Sequence, residues 1–80
     1  MDANVTQFYN PANGTYAYII TGEADGVPTM SFGLGVSLDQ IRKGYRPFRK
    51  TFTTSVEAEA KAAVFISHFR EDDRWELVTT

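Results

Sequence analysis

Cysteine is missing from the chain altogether, which rules out disulfides and thiolate zinc sites. Histidine is nearly missing: His68 stands alone, so a metal site built from several imidazoles is excluded too. No apolar run approaches the roughly 20 residues that a membrane helix needs. The opening MDANVTQF has no basic or apolar leader character. No membrane partner is therefore expected, and the chain reads as cytoplasmic. Two Asn-x-Thr sequons, at Asn4 and Asn13, are on that reading chance matches. Repeats, low-complexity tracts and long linkers are absent as well. Eighty residues without these staples read as a single domain over residues 1–80, held by a compact core or by self-association.

What is present suits such a core. Aromatic residues make up 14% of the chain, enough large rings to fill a small interior. Residues 15–21, TYAYIIT, are β-branched and aromatic and predict a strand. Asn10-Pro11-Ala12-Asn13-Gly14 before them is turn chemistry, and residues 4–9 supply a short strand ahead of it. GEADGVP, residues 22–28, reads as a second turn. Beyond it Met30, Phe32, Leu34 and Val36 alternate with Thr29, Ser31, Gly33 and Gly35. That period of two predicts a strand with one apolar face and one small, solvated face.

Ser37 to Gln40 has the form of a capping box opening a short helix, with Gly44 as its stop. From Pro47 an extended segment runs through Phe48 to Thr53. Thr54 to Glu57 forms a second capping box, opening a helix over 55–69. Ala58, Ala62, Phe65, Ile66 and Phe69 share one helix face, and Glu57, Lys61, Val64 and His68 share the other. Glu57 and Lys61 are spaced for a favourable ion pair. Arg74 to Thr80 reads as a last strand, with Trp75 and Leu77 on one side and Glu76 and Val78 on the other. The fold class expected is α+β: a three- to four-stranded, mostly antiparallel sheet, one main helix packed on one face, and a final strand after the helix.

Catalytic constellations are scarce. His68 falls on the polar helix face rather than beside a nucleophile. Gly33-Leu34-Gly35 lacks the rest of a nucleotide fingerprint, and Glu23-Ala24-Asp25-Gly26 lacks the later glutamate of a calcium loop. The order strand, strand, strand, helix, strand, with TTSVEAEAKAA opening the helix, resembles the first half of the ribonuclease H-like fold. That resemblance implies three metal-holding carboxylates. Glu59 occupies the helix position, but Asn10 stands where the first acid would be and Thr79-Thr80 where the third would fall. One carboxylate does not hold two divalent ions, so neither a cofactor nor an enzymatic activity is expected.

Charge is the remaining signal. IRKGYRPFRK, residues 41–50, carries Arg42, Lys43, Arg46, Arg49 and Lys50 with no acid, and Tyr45 and Phe48 among them. Outside it ten acids face three bases, although the whole chain is only −2. The acids gather at Glu57 and Glu59 and at Glu71, Asp72, Asp73 and Glu76. Such a dipole steers encounters with charged partners. In size, charge and layout the chain resembles the small inhibitors that phages make against host polymerases, nucleases or defence complexes. That resemblance implies a nucleic-acid-handling protein as target, contacted by the acidic residues. The alternative is a nucleic-acid-binding module in which the basic residues meet phosphates and Tyr45 stacks on a base. The segment KTFTTSVEAEAKAA is similar to the sheet-and-helix arm domains of phage integrases, which implies the same. The strand RWELVTT also offers an edge for a homodimer.

Overall fold

The computed structural model describes residues 4–46 and 48–78. Its elements are β1 (Asn4–Asn10), β2 (Thr15–Ala24), β3 (Val27–Leu34), α1 (Leu38–Arg42), β4 (Phe48–Thr51), α2 (Ser55–Glu71) and β5 (Glu76–Leu77). They build one five-stranded sheet in the order β4-β3-β2-β1-β5, with every neighbouring pair antiparallel. The α+β class holds: four strands precede the main helix, the final strand follows it, and the short helix expected after Ser37 is α1. Pro47, where the extended segment was expected to begin, lies outside the described residues, as do Thr79 and Thr80. The last strand itself is shorter than expected, pairing through Glu76 and Leu77 with Tyr9 and Phe8.

Turn chemistry sets the meander. Asn10 and Asn13 accept backbone N–H bonds on their side chains, from Ala12 and Thr15, both at 3.0 Å. The GEADGVP segment is a tighter turn than its composition implied. β2 runs on to Ala24 and β3 starts at Val27, leaving Asp25 and Gly26 at φ 54° and 79°. Two consecutive positive φ values mark the hairpin turn that Asp-Gly favours.

The connection from β4 to β5 carries the chain from one sheet edge to the other. Four inter-strand spacings amount to about 19 Å. The 17 residues of α2 span about 25 Å at 1.5 Å each, long enough to cross that width. Thr54 caps the helix, accepting from the Glu57 N–H at 3.2 Å. The reciprocal half of the expected box is replaced by a Thr54 hydroxyl bond to the Glu57 carboxylate, also 3.2 Å. Ala58 and Ala62 are buried and let α2 lie close to the sheet. Phe65, Ile66 and Phe69 then close the core over Phe8, Ala17, Ile19 and Met30. Phe69 sits at the centre of a ring cluster, 5.2 Å from Phe8, 5.9 Å from Phe32 and 5.0 Å from Trp75. A groove of about 430 Å³ is left between α2 and β1, with Thr6, Ile19, Ala62 and Ile66 along it and Glu59 also lining it.

The opposite sheet face is not simply solvated, as the alternation in β3 had suggested. Gly35 takes φ 75° and ends β3. Val36 therefore leaves the Met30 face and, with Leu38 and Ile41, covers Tyr18 and Ile20 on the other side. The Ser37–Gln40 box is complete: the Gln40 N–H donates to Ser37 Oγ at 3.2 Å, and the Ser37 N–H donates to Gln40 Oε1 at 2.9 Å. This capping stabilises a helix of five residues that would not persist alone. The central strand β2 is consequently buried on both faces from Ala17 to Ile20.

Candidate functional site

Strand register decides which side of the sheet each charge occupies, because side chains alternate along a strand. Val5, Ile20, Ser31 and Arg49 form one cross-strand row, and Ile20 packs under α1. Arg49 therefore faces the α1 side. Tyr9, Tyr16 and Glu76 form another row on the same side. The Tyr9 and Tyr16 ring centroids are 4.7 Å apart, and Tyr16 lies 6.2 Å from Tyr18. Three tyrosines thus line this face. Tyr18 is fully buried and accepts from Gln7 Nε2 at 3.5 Å. Burial first, and then Tyr16, push its hydroxyl above the ordinary tyrosine range, while nearby Arg42 pulls the other way. Arg42 is thus close enough to Tyr18 for its charge to act on that hydroxyl.

Arg46 completes the basic group. Its Nη1 donates to the Ile41 carbonyl at 2.8 Å and the Tyr45 carbonyl at 2.9 Å, pinning the exit from α1. Burial, then neighbouring Arg49, lower its pKa from the usual arginine value. Arg46 and Arg49 are therefore near one another. Lys43 and Tyr45 are exposed at the end of α1, Tyr45 by 48%. Lys50 departs from the group. It shares the Met30 row on the α2 side, and its ammonium lies 5.7 Å from the Phe52 ring. Phe52 belongs to the core, whereas Phe48, in phase with it, is 49% exposed on the edge strand.

The six acids named from the sequence do not form one patch. Glu57 and Glu59 lie in the first turns of α2, and Glu71, Asp72 and Asp73 at and beyond its end, roughly 20 Å away along the helix. Lys61 and Arg70 intervene. Asp72 is neutralised by Arg74, whose Nη2 donates to it at 2.7 Å, the one ion pair among the described residues. The side-chain bond from Arg74 holds the Asp72 carboxyl down at about 2. The expected Glu57–Lys61 pair is not made; Lys61 instead lies 6.0 Å from the Phe65 ring. Glu76 sits by register on the α1 side, opposite Tyr9.

Asn10 and Glu59, the two positions singled out by the ribonuclease H-like layout, are far apart. Glu59 lines the groove near Asn4, and Asn10 is at the other end of β1, roughly 20 Å away at 3.3 Å per residue. Among the described residues no three of His, Asp or Glu converge as metal ligands. No helix among them is long and apolar enough to cross a membrane.

Sequence reasoning missed the Tyr9–Tyr16 pair. Its signal was available in the hairpin: a turn centred on residues 11–14 sets positions 9 and 16 opposite each other. Together, Tyr9, Tyr16, Arg42, Lys43, Arg46 and Arg49 lie on or beside the α1 face, with the Tyr9–Tyr16 row about 13 Å along the strands from the row of Arg49. No protein-family model matches this chain, and neither does any curated protein or solved structure.

Proposed function

We propose that the protein is a non-enzymatic binding module that takes single-stranded nucleic acid on the α1 face of its sheet. One observation supports this reading above the others. The paired rings of Tyr9 and Tyr16 share a face with Arg42 and Arg49, while the acids of α2 lie behind the sheet. A net charge of −2 opposes phosphate binding only where the acids and the ligand meet. Here the sheet stands between the α2 acids and the binding face, which keeps two acids of its own, Glu76 opposite Tyr9 and Asp39 on α1. Single strands offer the two things this face can hold, phosphates for the cations and unstacked bases for the rings. α1 stands up from the sheet beside the tyrosines, which suits a flexible strand better than a rigid duplex.

The test is fluorescence anisotropy with labelled single-stranded DNA and RNA oligonucleotides and a duplex control at low salt. Saturable binding to single strands, weakened by added salt and by Tyr16→Ala, is the expected result. Equal affinity for duplex, or none for any of the three, refutes it.

A second reading, docking onto a protein target in the manner of an inhibitor, has its own support at the end of α2. Leu34 is 55% exposed there and shares a hollow with Trp75, Phe69 and His68. Glu71 and Asp73 are exposed close by in the chain. An apolar hollow near free acids suits an arginine- or lysine-rich surface, such as nucleic-acid-handling proteins carry. Reversing Glu71 and Asp73 to lysine is expected to abolish capture of such a target and leave oligonucleotide binding in place.

A further inference from the structure

The outward side of α2 is unusual for a helix on a small domain. Val56, Ala60, Val64 and Ser67 point away from the sheet, opposite Ala58, Ala62 and Phe69, and Ala63 lies at their margin beside the groove to β1. Val56 is 72% exposed and Val64 50% exposed. From Val56 to Ser67 this outward line carries no charge, with Glu57 bordering it and Glu71 standing one turn beyond Ser67. The remaining polar side chains lie on the two flanks. One flank bears Glu57, Lys61 and His68, and the other bears Glu59 and Arg70.

We infer that this seam is the docking surface for a second copy of the same chain, with the two α2 helices packed antiparallel about a two-fold axis near Ala63 and Val64. Charge complementarity selects this occupant. In an antiparallel pair each flank meets the same flank of its partner, running the other way. Glu59 of one copy then comes within about 3 Å of level with Arg70 of the other, twice by symmetry. Within a single chain Glu59 and Arg70 are about 16 Å apart along the helix, and neither is in an ion pair among the described residues. The alanines and the serine let two helix backbones approach closely, and the valines supply apolar area at the centre and ends of the seam. A parallel pair would instead set the Glu59 and Arg70 flank against the Glu57, Lys61 and His68 flank, leaving Arg70 level with His68 and without an acid opposite it.

This inference does not rest on nucleic-acid binding. It does add to it, since two copies joined through α2 would turn their α1 faces outward on opposite sides. A seam of one helix, about 25 Å long, is smaller than a standard interface, so association in the micromolar to millimolar range is expected.

Sedimentation equilibrium on the full chain, without nucleic acid, tests the proposal up to about 1 mM protein. A monomer–dimer equilibrium is expected. Glu59→Arg and Arg70→Glu alone should each weaken it by about tenfold, since each converts two attractive pairs into two repulsive ones. Mixing those two variants should restore association. In the heterodimer the two arginines of one chain face the two glutamates of the other, so both flank pairs are attractive again. Val64→Glu should abolish the dimer, with an unchanged thermal melt of the dilute protein showing that the fold survives. A monomer at every concentration overturns the proposal. So does a dimer indifferent to both flank reversals, or a mixture no more associated than its components.

Discussion

Salt dependence offers the sharpest test of the α1 face, because it counts the cations engaged. Four basic side chains lie on or beside that face, but Arg46 already spends its guanidinium on two backbone carbonyls. Arg42, Lys43 and Arg49 remain exposed and free for phosphate. Each phosphate neutralised on a single strand contributes about −0.7 to the slope of log K against log salt, so three contacts give a slope of about −2. Raising salt from about 50 to about 200 mM should then weaken binding by about 20-fold. Removing one charge, as in Arg49→Gln or Arg42→Gln, should cut the slope to about −1.4 and the same loss to about sevenfold. Arg46→Gln should leave the slope nearly unaltered, while loosening the link between α1 and β4. Anisotropy titrations of a short labelled oligonucleotide across that salt range supply the slopes. A flat response in the wild type, or slopes identical in all four proteins, would refute the assignment of these residues to phosphate contacts.

Other expectations concern the same framework. Tyr16→Ala should weaken single-strand binding by about 1–3 kcal/mol, the range for losing a stacking ring, with only a small change in the urea midpoint because Tyr16 is exposed. Phe69→Ala should cost about 3–5 kcal/mol in urea unfolding, since it removes the hub of the ring cluster; a loss under about 1 kcal/mol would contradict that packing. Ser37→Ala should cost about 1 kcal/mol by removing the α1 cap and should lower oligonucleotide affinity with it, read from the same two assays. The Asp72 carboxyl should titrate at about 2 by NMR, and Arg74→Ala should return it toward 3.8. Because the folded value is the lower one, whatever this pair contributes to stability is present above about pH 4 and is lost as the pH falls toward 2.

Much of this architecture was written in local chemistry. The alternation from Thr29 to Leu34, the turn residues 10–14 and the alanine-and-phenylalanine face of α2 each specify their own element. Gly35 shows where local reading stops. Nothing in the alternation itself says that the strand ends there, yet one positive φ sends Val36 to the opposite face and brings α1 over Tyr18. The candidate site was half legible for the same reason. Arg42, Lys43, Arg46 and Arg49 stand out in sequence because they are neighbours. Tyr9 and Tyr16 join them only through strand pairing, and Lys50 leaves them only through strand alternation. The acids misled because adjacency along α2 is not adjacency in space: a helix of 17 residues holds its two ends apart.

The pairing of Phe8 with Leu77 has a temporal side. On the ribosome β1 emerges early and can zip to β2 within microseconds, but the strand that seals its outer margin follows only after α2. Until β5 emerges the nascent chain therefore exposes an unsealed backbone margin at Phe8 and Tyr9, and an open notch beside Phe69 where the indole of Trp75 will lodge. Closure of this sheet waits on Trp75 to Leu77, which makes this margin the place where a chaperone, a protease or a sister polypeptide would find the open sheet.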